Sequence, residues 1–122
     1  MTKRVLIADD EPNIVASLEF LMEQAGFEVK VASDGRAALG LVASFRPDLV
    51  LLDVMMPVKN GYEVCQQLKG DADTRGVKVI LLSAKGRDVE VAKGLELGAD
   101  AYVTKPFSTR ELVAKVKELL GT

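Results

Sequence analysis

In this 122-residue chain, five side chains able to do ionic or hydrogen-bonding chemistry stand at the ends of short, mostly apolar runs. Asp9 and Asp10 follow Val5-Leu6-Ile7-Ala8, and Asp53 follows Leu49-Val50-Leu51-Leu52. Ser83 ends the run that begins at Val77, and Lys105 follows Ala101-Tyr102-Val103-Thr104. Four consecutive apolar residues need burial on both faces, which suits a central strand of a parallel sheet. In such sheets ligands gather beyond the carboxyl ends of the strands. Parallel pairing would therefore bring three carboxylates, an ammonium and a hydroxyl to one rim. Two like charges about 4 Å apart repel by about 4 kcal/mol at a near-surface effective dielectric of about 20. A hard divalent cation relieves that repulsion, and Mg²⁺ favours one or two carboxylates with water and phosphate oxygens completing its shell. The set suits an incoming phosphoryl group, whose transfer is mostly positioning and charge neutralisation. A carboxylate can itself be the nucleophile. The chain offers no means of holding a nucleotide donor, having neither a Gly-x-x-x-x-Gly-Lys loop nor a Gly-x-Gly-x-x-Gly after its first strand.

The remaining sequence predicts the elements that would place these groups. A helix opening at Pro12 carries Ile14, Val15, Leu18, Leu21, Met22 and Ala25 at helical spacing, and Gly26 stops it. Residues 28–32 alternate as an edge strand. Asp34-Gly35 turns into a helix with Ala38, Leu41, Val42 and Phe45, closed by Pro47. Asn60-Gly61 breaks the chain before a short helix carrying Tyr62, Val64, Cys65 and Leu68, and residues 70–76 read as an exposed loop. Residues 87–97 form a weaker helix, interrupted by Gly94 and capped at Gly98. Ser108 and Glu111 predict a capping box for the last helix, which buries Leu112, Val113, Val116, Leu119 and Leu120. Five alternations of strand and helix predict an α/β fold with a parallel sheet covered on both faces.

Size and composition limit the alternatives. The chain is one domain, 1–122, and its 48% apolar and 28% charged residues argue against disorder. A net charge of −2 without a basic stripe gives no nucleic-acid surface. The single cysteine, Cys65, excludes an internal disulfide, fits a reducing compartment and reads as a buried filler. Histidine is absent, so no mechanism can rest on an internal imidazole. No leader-like segment and no run of about 20 apolar residues is present, which predicts a soluble, cytoplasmic protein.

Asp9-Asp10, the Leu-Leu-Asp53 strand with Met56-Pro57, Ser83-Ala84 and Lys105-Pro106-Phe107 together resemble the receiver domain of two-component response regulators, over the whole chain. The resemblance implies a doubly wound five-stranded sheet of order 2-1-3-4-5 flanked by five helices. It implies that Asp53 is the phosphoacceptor, charged by a sensor histidine kinase or phosphotransfer protein. Asp10, Asp53 and the Met55 backbone carbonyl would bind Mg²⁺, with Asp9 acting through water. Lys105 and Ser83 would contact the phosphoryl oxygens, Tyr102 would be the switch aromatic, and Lys105-Pro106 would be a cis bond. Met55 and Lys85 would tune hydrolysis. The protein would be a phosphoacceptor that itself catalyses the transfer from its donor, with at most slow autodephosphorylation, not a turnover enzyme. It would act on a downstream protein or output domain, as a monomer or as a phosphorylation-dependent homodimer through the fourth helix, fifth strand and fifth helix.

The sequence departs from the family in places. Lys59 and Asn60 stand where an apolar residue and Asp are frequent. Val91 and Ala101 replace half of an ionic dimer seam of which Glu111 and Lys115 remain. Each group also has a plainer role. The acids at 9–11 suit a helix start, Ser83 a strand-end cap, Lys105 a solvated charge and Tyr102 a core aromatic. Other functions fit less well. An aspartyl-phosphate hydrolase needs an acid two residues after the nucleophile, where Met55 stands. A flavin mononucleotide carrier needs a phosphate loop where Asp9-Asp10-Glu11 would repel phosphate. A phosphate-independent relative would not keep the whole rim. No effector domain follows Thr122, so the chain is either a single-domain regulator or a piece of a longer one.

Overall fold

The computed structural model describes residues 2–84 and 88–122. Lys85 and the Arg87 start expected for the fourth helix lie outside them. The strands are β1 (Arg4–Ala8), β2 (Glu28–Ala32), β3 (Leu49–Asp53), β4 (Lys78–Ser83) and β5 (Ala101–Thr104). They alternate with α1 (Pro12–Gln24), α2 (Gly35–Phe45), α3 (Gly61–Gly70), α4 (Asp88–Glu96) and α5 (Thr109–Leu120). All pairings are parallel and the order is β2-β1-β3-β4-β5, as the resemblance implied.

Side-chain alternation splits the core into two halves. Val5, Ile7, Leu49, Leu51, Ile80 and Leu82 point to one face, where they meet Leu18 and Met22 of α1 and Leu112 and Val116 of α5. Leu6, Leu52, Val79 and Leu81 point to the other, beneath α2 and α3. β3 is buried throughout because it has a helix layer on each side. β2 exposes Glu28 and Lys30 and half-buries Val29 and Val31, as an edge strand does, until Ala32 at its end is buried.

The helix ends refine the sequence expectation. Ser108 makes a one-way cap, its Oγ accepting from the Glu111 N–H, and the full reciprocal box forms instead between Asn60 and Glu63 at the start of α3. Asn60, one of the departures from the family, is thus a cap. Gly94 does not interrupt α4, which runs through it. A Cβ there would press on Leu81 and on the Tyr102 ring, so the missing side chain lets α4 lie close to the sheet. Gly98 then leaves the helix with φ +103.

Lys69, at the end of α3, was not singled out by the sequence. Its Nζ donates to the Arg75 carbonyl at 3.2 Å, the Val77 carbonyl at 2.7 Å and Asp100 Oδ2 at 3.0 Å. All three ammonium protons have acceptors, and Asp100 also accepts from the Val79 N–H at 2.8 Å. Lys69→Met would leave this half-buried carboxylate with the Val79 N–H but without its cation, and would remove the donor to the Arg75 and Val77 carbonyls. It is expected to cost about 2 kcal/mol, lowering Tm by about 8 °C in thermal unfolding.

Candidate functional site

The strand register delivers the rim. Ala8 pairs with Leu52, Asp53 with Leu82 and Ser83 with Thr104, so the expected groups leave their strands at one level. Asp53 continues the alternation of Leu49 and Leu51 toward the α1–α5 face. Ser83 and Tyr102 continue that of Leu81 toward the α4 face. Asp9, Asp53 and Ser83 are buried, whereas Asp10 is exposed.

One carboxylate oxygen each from Asp9, Asp10 and Asp53 lies within 4.8 Å of the others. The Lys105 Nζ stands 3.3 Å from both Asp9 Oδ2 and Asp53 Oδ1 and donates to both. Asp9 Oδ1 accepts from the Glu11 N–H at 2.9 Å. Both Asp9 oxygens are therefore engaged, one of them in the helix-start role considered for it, so the plain and the chemical roles coexist. Burial, then the Asp9 charge, pushes the Asp53 carboxyl above its ordinary value against the pull of Lys105 and the Met55 backbone hydrogen bond. Burial alone would lower the Lys105 ammonium, but Asp53 and Asp9 outweigh it and raise it. Hard oxygen donors, excess negative charge and one solvent-facing carboxylate fit a divalent cation that keeps some of its water.

Ser83 lies buried at the end of β4, and its carbonyl accepts from the Lys105 N–H at 2.7 Å. The Lys105-Pro106 bond is cis, as the resemblance implied. An open, mostly apolar groove of about 550 Å³ runs beside Lys105, walled by Ile14, Ala84, Pro106 and Phe107. Cys65 is buried and its thiol is pushed up to about 11, mainly by burial, which fits a filler.

Tyr62 is a residue the sequence did not flag. Its hydroxyl lies 3.4 Å from that of Tyr102 and donates to the Glu90 carbonyl at 3.3 Å, joining α3, α4 and β5. Lys93 sits over its ring at 4.6 Å. A half-buried phenol needs a partner, which is the only local signal that could have pointed to it. Tyr62→Phe is expected to cost up to about 1 kcal/mol in denaturant unfolding. With no tryptophan in the chain, it also leaves Tyr102 as the sole tyrosine, so its fluorescence reports Tyr102 directly.

A family model described as the response regulator receiver domain matches residues 5–117. The DNA-binding response regulator MtrA of Mycolicibacterium smegmatis is 46% identical over 120 residues, covering 98% of this chain and 51% of that protein. The chain thus spans about half the length of that curated relative. Among solved structures, the BeF3-activated DrrB receiver domain superposes with a TM-score of 0.91 at 36% identity, covering both chains fully. The receiver domain of Francisella response regulator 1452 gives 0.92 at 34% identity, covering 98% of each chain.

Proposed function

The chain belongs to the response regulator receiver family, and on that premise we propose that Asp53 accepts a phosphoryl group from a partner's phosphohistidine. The carrying observation is the Lys105 ammonium held 3.3 Å from both Asp9 and Asp53 amid three converging carboxylates. An Asp53 oxygen attacks phosphorus, the phosphorus–nitrogen bond to the donor breaks, and the histidine leaves with its electron pair. Lys105 neutralises the phosphoryl oxygens, and Ser83 donates to one of them. Asp10, Asp53 and the Met55 carbonyl would hold Mg²⁺, with Asp9 acting through water because its own oxygens are engaged. A bound Mg²⁺ supplies further neutralisation of the phosphoryl charge. The groove beside Lys105 gives a kinase or phosphotransfer protein an apolar surface next to the acceptor.

The chain is then an acceptor and switch with at most slow autodephosphorylation, not a turnover enzyme, and it works in the cytoplasm. No described helix is long and apolar enough to cross a membrane. Phosphorylation adds about two negative charges at Asp53, drawing Ser83 and Lys105 inward and releasing Tyr102 from Tyr62. Ser83 and Tyr102 share the sheet face under α4, so the change is delivered to α4 and β5, and it reaches α5 at the β5 edge, where Tyr102, Glu111 and Lys115 line one groove. There α4 exposes Val89 and Leu95 to a downstream protein, an output domain or a second copy. A full ionic seam is not offered there, since Val91 and Ala101 replace half of its charges, and Lys115 pairs with Glu118 of its own helix at 3.2 Å. Acetyl phosphate with Mg²⁺ is expected to add one phosphoryl group, placed on Asp53 by mass spectrometry. Label on another residue, or none, overturns the assignment.

A further inference from the structure

Val58 has φ 69, a left-handed conformation in which a β-branched side chain is a genuine outlier. The Lys59 N–H donates to the Pro57 carbonyl at 2.8 Å, closing a three-residue turn of the rare, strained hand around Val58. No packing gain offsets this strain, since the Val58 side chain is 64% exposed. Contacts on both sides of the turn hold it. The Gly35 N–H, at the start of α2, points at the same Pro57 carbonyl at 3.4 Å, and a Cβ on Gly35 would collide with the Lys59 backbone. Across the loop, the Gly61 N–H donates to the Val54 carbonyl at 2.9 Å, and a Cβ on Gly61 would strike the backbone of Asp53 and Val54. The stretch so confined is 54–56, whose Met55 backbone hydrogen-bonds the Asp53 carboxylate.

Resting on the phosphoacceptor role of Asp53, we propose that Val58 is a positioning residue for that site. A strained turn, over-determined by Gly35 and Gly61, presets the Val54–Met56 backbone and hence the direction of the Asp53 carboxylate. Strain confined in this way beside a functional group is a known means of preorganisation. Local rigidity and global stability should then respond in opposite directions to relief of the turn, which a purely structural residue would not show.

The test compares Val58→Asn, Val58→Gly and Val58→Ile in the full chain. Asn tolerates positive φ, so Val58→Asn is expected to raise Tm by about 4 °C. Val58→Gly also removes the strain but frees the loop. Amide hydrogen exchange at Met55 should quicken, and Mg²⁺ affinity in direct titration should fall, each about two- to five-fold. Val58→Ile keeps the stiff side chain and should match wild type in all three. Unchanged Met55 exchange in Val58→Gly, or no gain in Tm for Val58→Asn, overturns the positioning role. Failure of wild type and Val58→Ile to take label from acetyl phosphate would instead sink the phosphoacceptor reading, while exchange and Tm still judge the turn.

Discussion

Asp53→Asn is expected to take up no phosphoryl group and, without added divalent cation at neutral pH, to be more stable than wild type. Loss of labelling follows from removing the nucleophile, since a carboxamide oxygen does not form the acyl phosphate. The gain in stability follows from electrostatics. Burial and then the Asp9 charge raise the Asp53 pKa above 3.8, so the folded protein binds this proton more tightly than the unfolded chain. As pH rises from 3.8 through the raised value, the unfolded state loses its proton first and stability falls. That deficit persists at neutral pH, and Asn removes it while Lys105 keeps Asp9 as a partner. Denaturant midpoints measured against pH should separate the two proteins near neutrality and bring them together at pH below 3.8. A variant less stable at neutral pH, or one that still labels, contradicts this account.

The sheet was legible because its information is local. Leu49 to Leu52 and Val79 to Leu82 are apolar at every position, which only strands covered on both sides require. In the structure the same alternation leaves Asp53 on the side of Leu49 and Leu51, and Ser83 and Tyr102 on the side of Leu81. The rim of Asp9, Asp53 and Lys105 was also recoverable, since parallel strands ending at one level bring it together. Contacts made by loops and helix ends were not recoverable. Tyr62 and Tyr102 lie 40 residues apart, and nothing in either neighbourhood announces their meeting. Lys69 reads as a surface charge until the Arg75–Val77 turn and Asp100 close around it. The sequence reads Gly94 as a helix break because glycine is a poor helix former. Its role depends on the distance between α4 and Tyr102, which the pattern of one segment does not contain. The sequence placed a capping box at Ser108, where the spacing fits, while α3 forms the complete one with Asn60, read only as a break.

Lys105→Met should have the second large effect, and it separates the roles of charge and metal. In the wild type one ammonium lies between two buried carboxylates, and their charges raise its pKa above 10.5. Its stabilising contribution is therefore fully present at neutral pH and is lost only as pH rises through that raised value. Methionine fills similar space but leaves Asp9 and Asp53 facing one another without a cation. Removing one partner from such a cluster is expected to cost about 3 kcal/mol. The initial rate of phosphoryl incorporation from acetyl phosphate should fall about 10²- to 10³-fold, as when a single transition-state donor is removed. Mg²⁺ supplies positive charge to the same carboxylates, so it should stabilise the variant more than the wild type, with a gain near 2.7 kcal/mol at about 100 times its Kd. Denaturant unfolding with and without Mg²⁺, beside the labelling rate, measures both effects. If Mg²⁺ restored the stability and also the full rate, Lys105 would serve only to balance charge. Restored stability with a slow rate is the expected result, because the metal can relieve the carboxylates but cannot replace a donor reaching the phosphoryl oxygens from the β5 side.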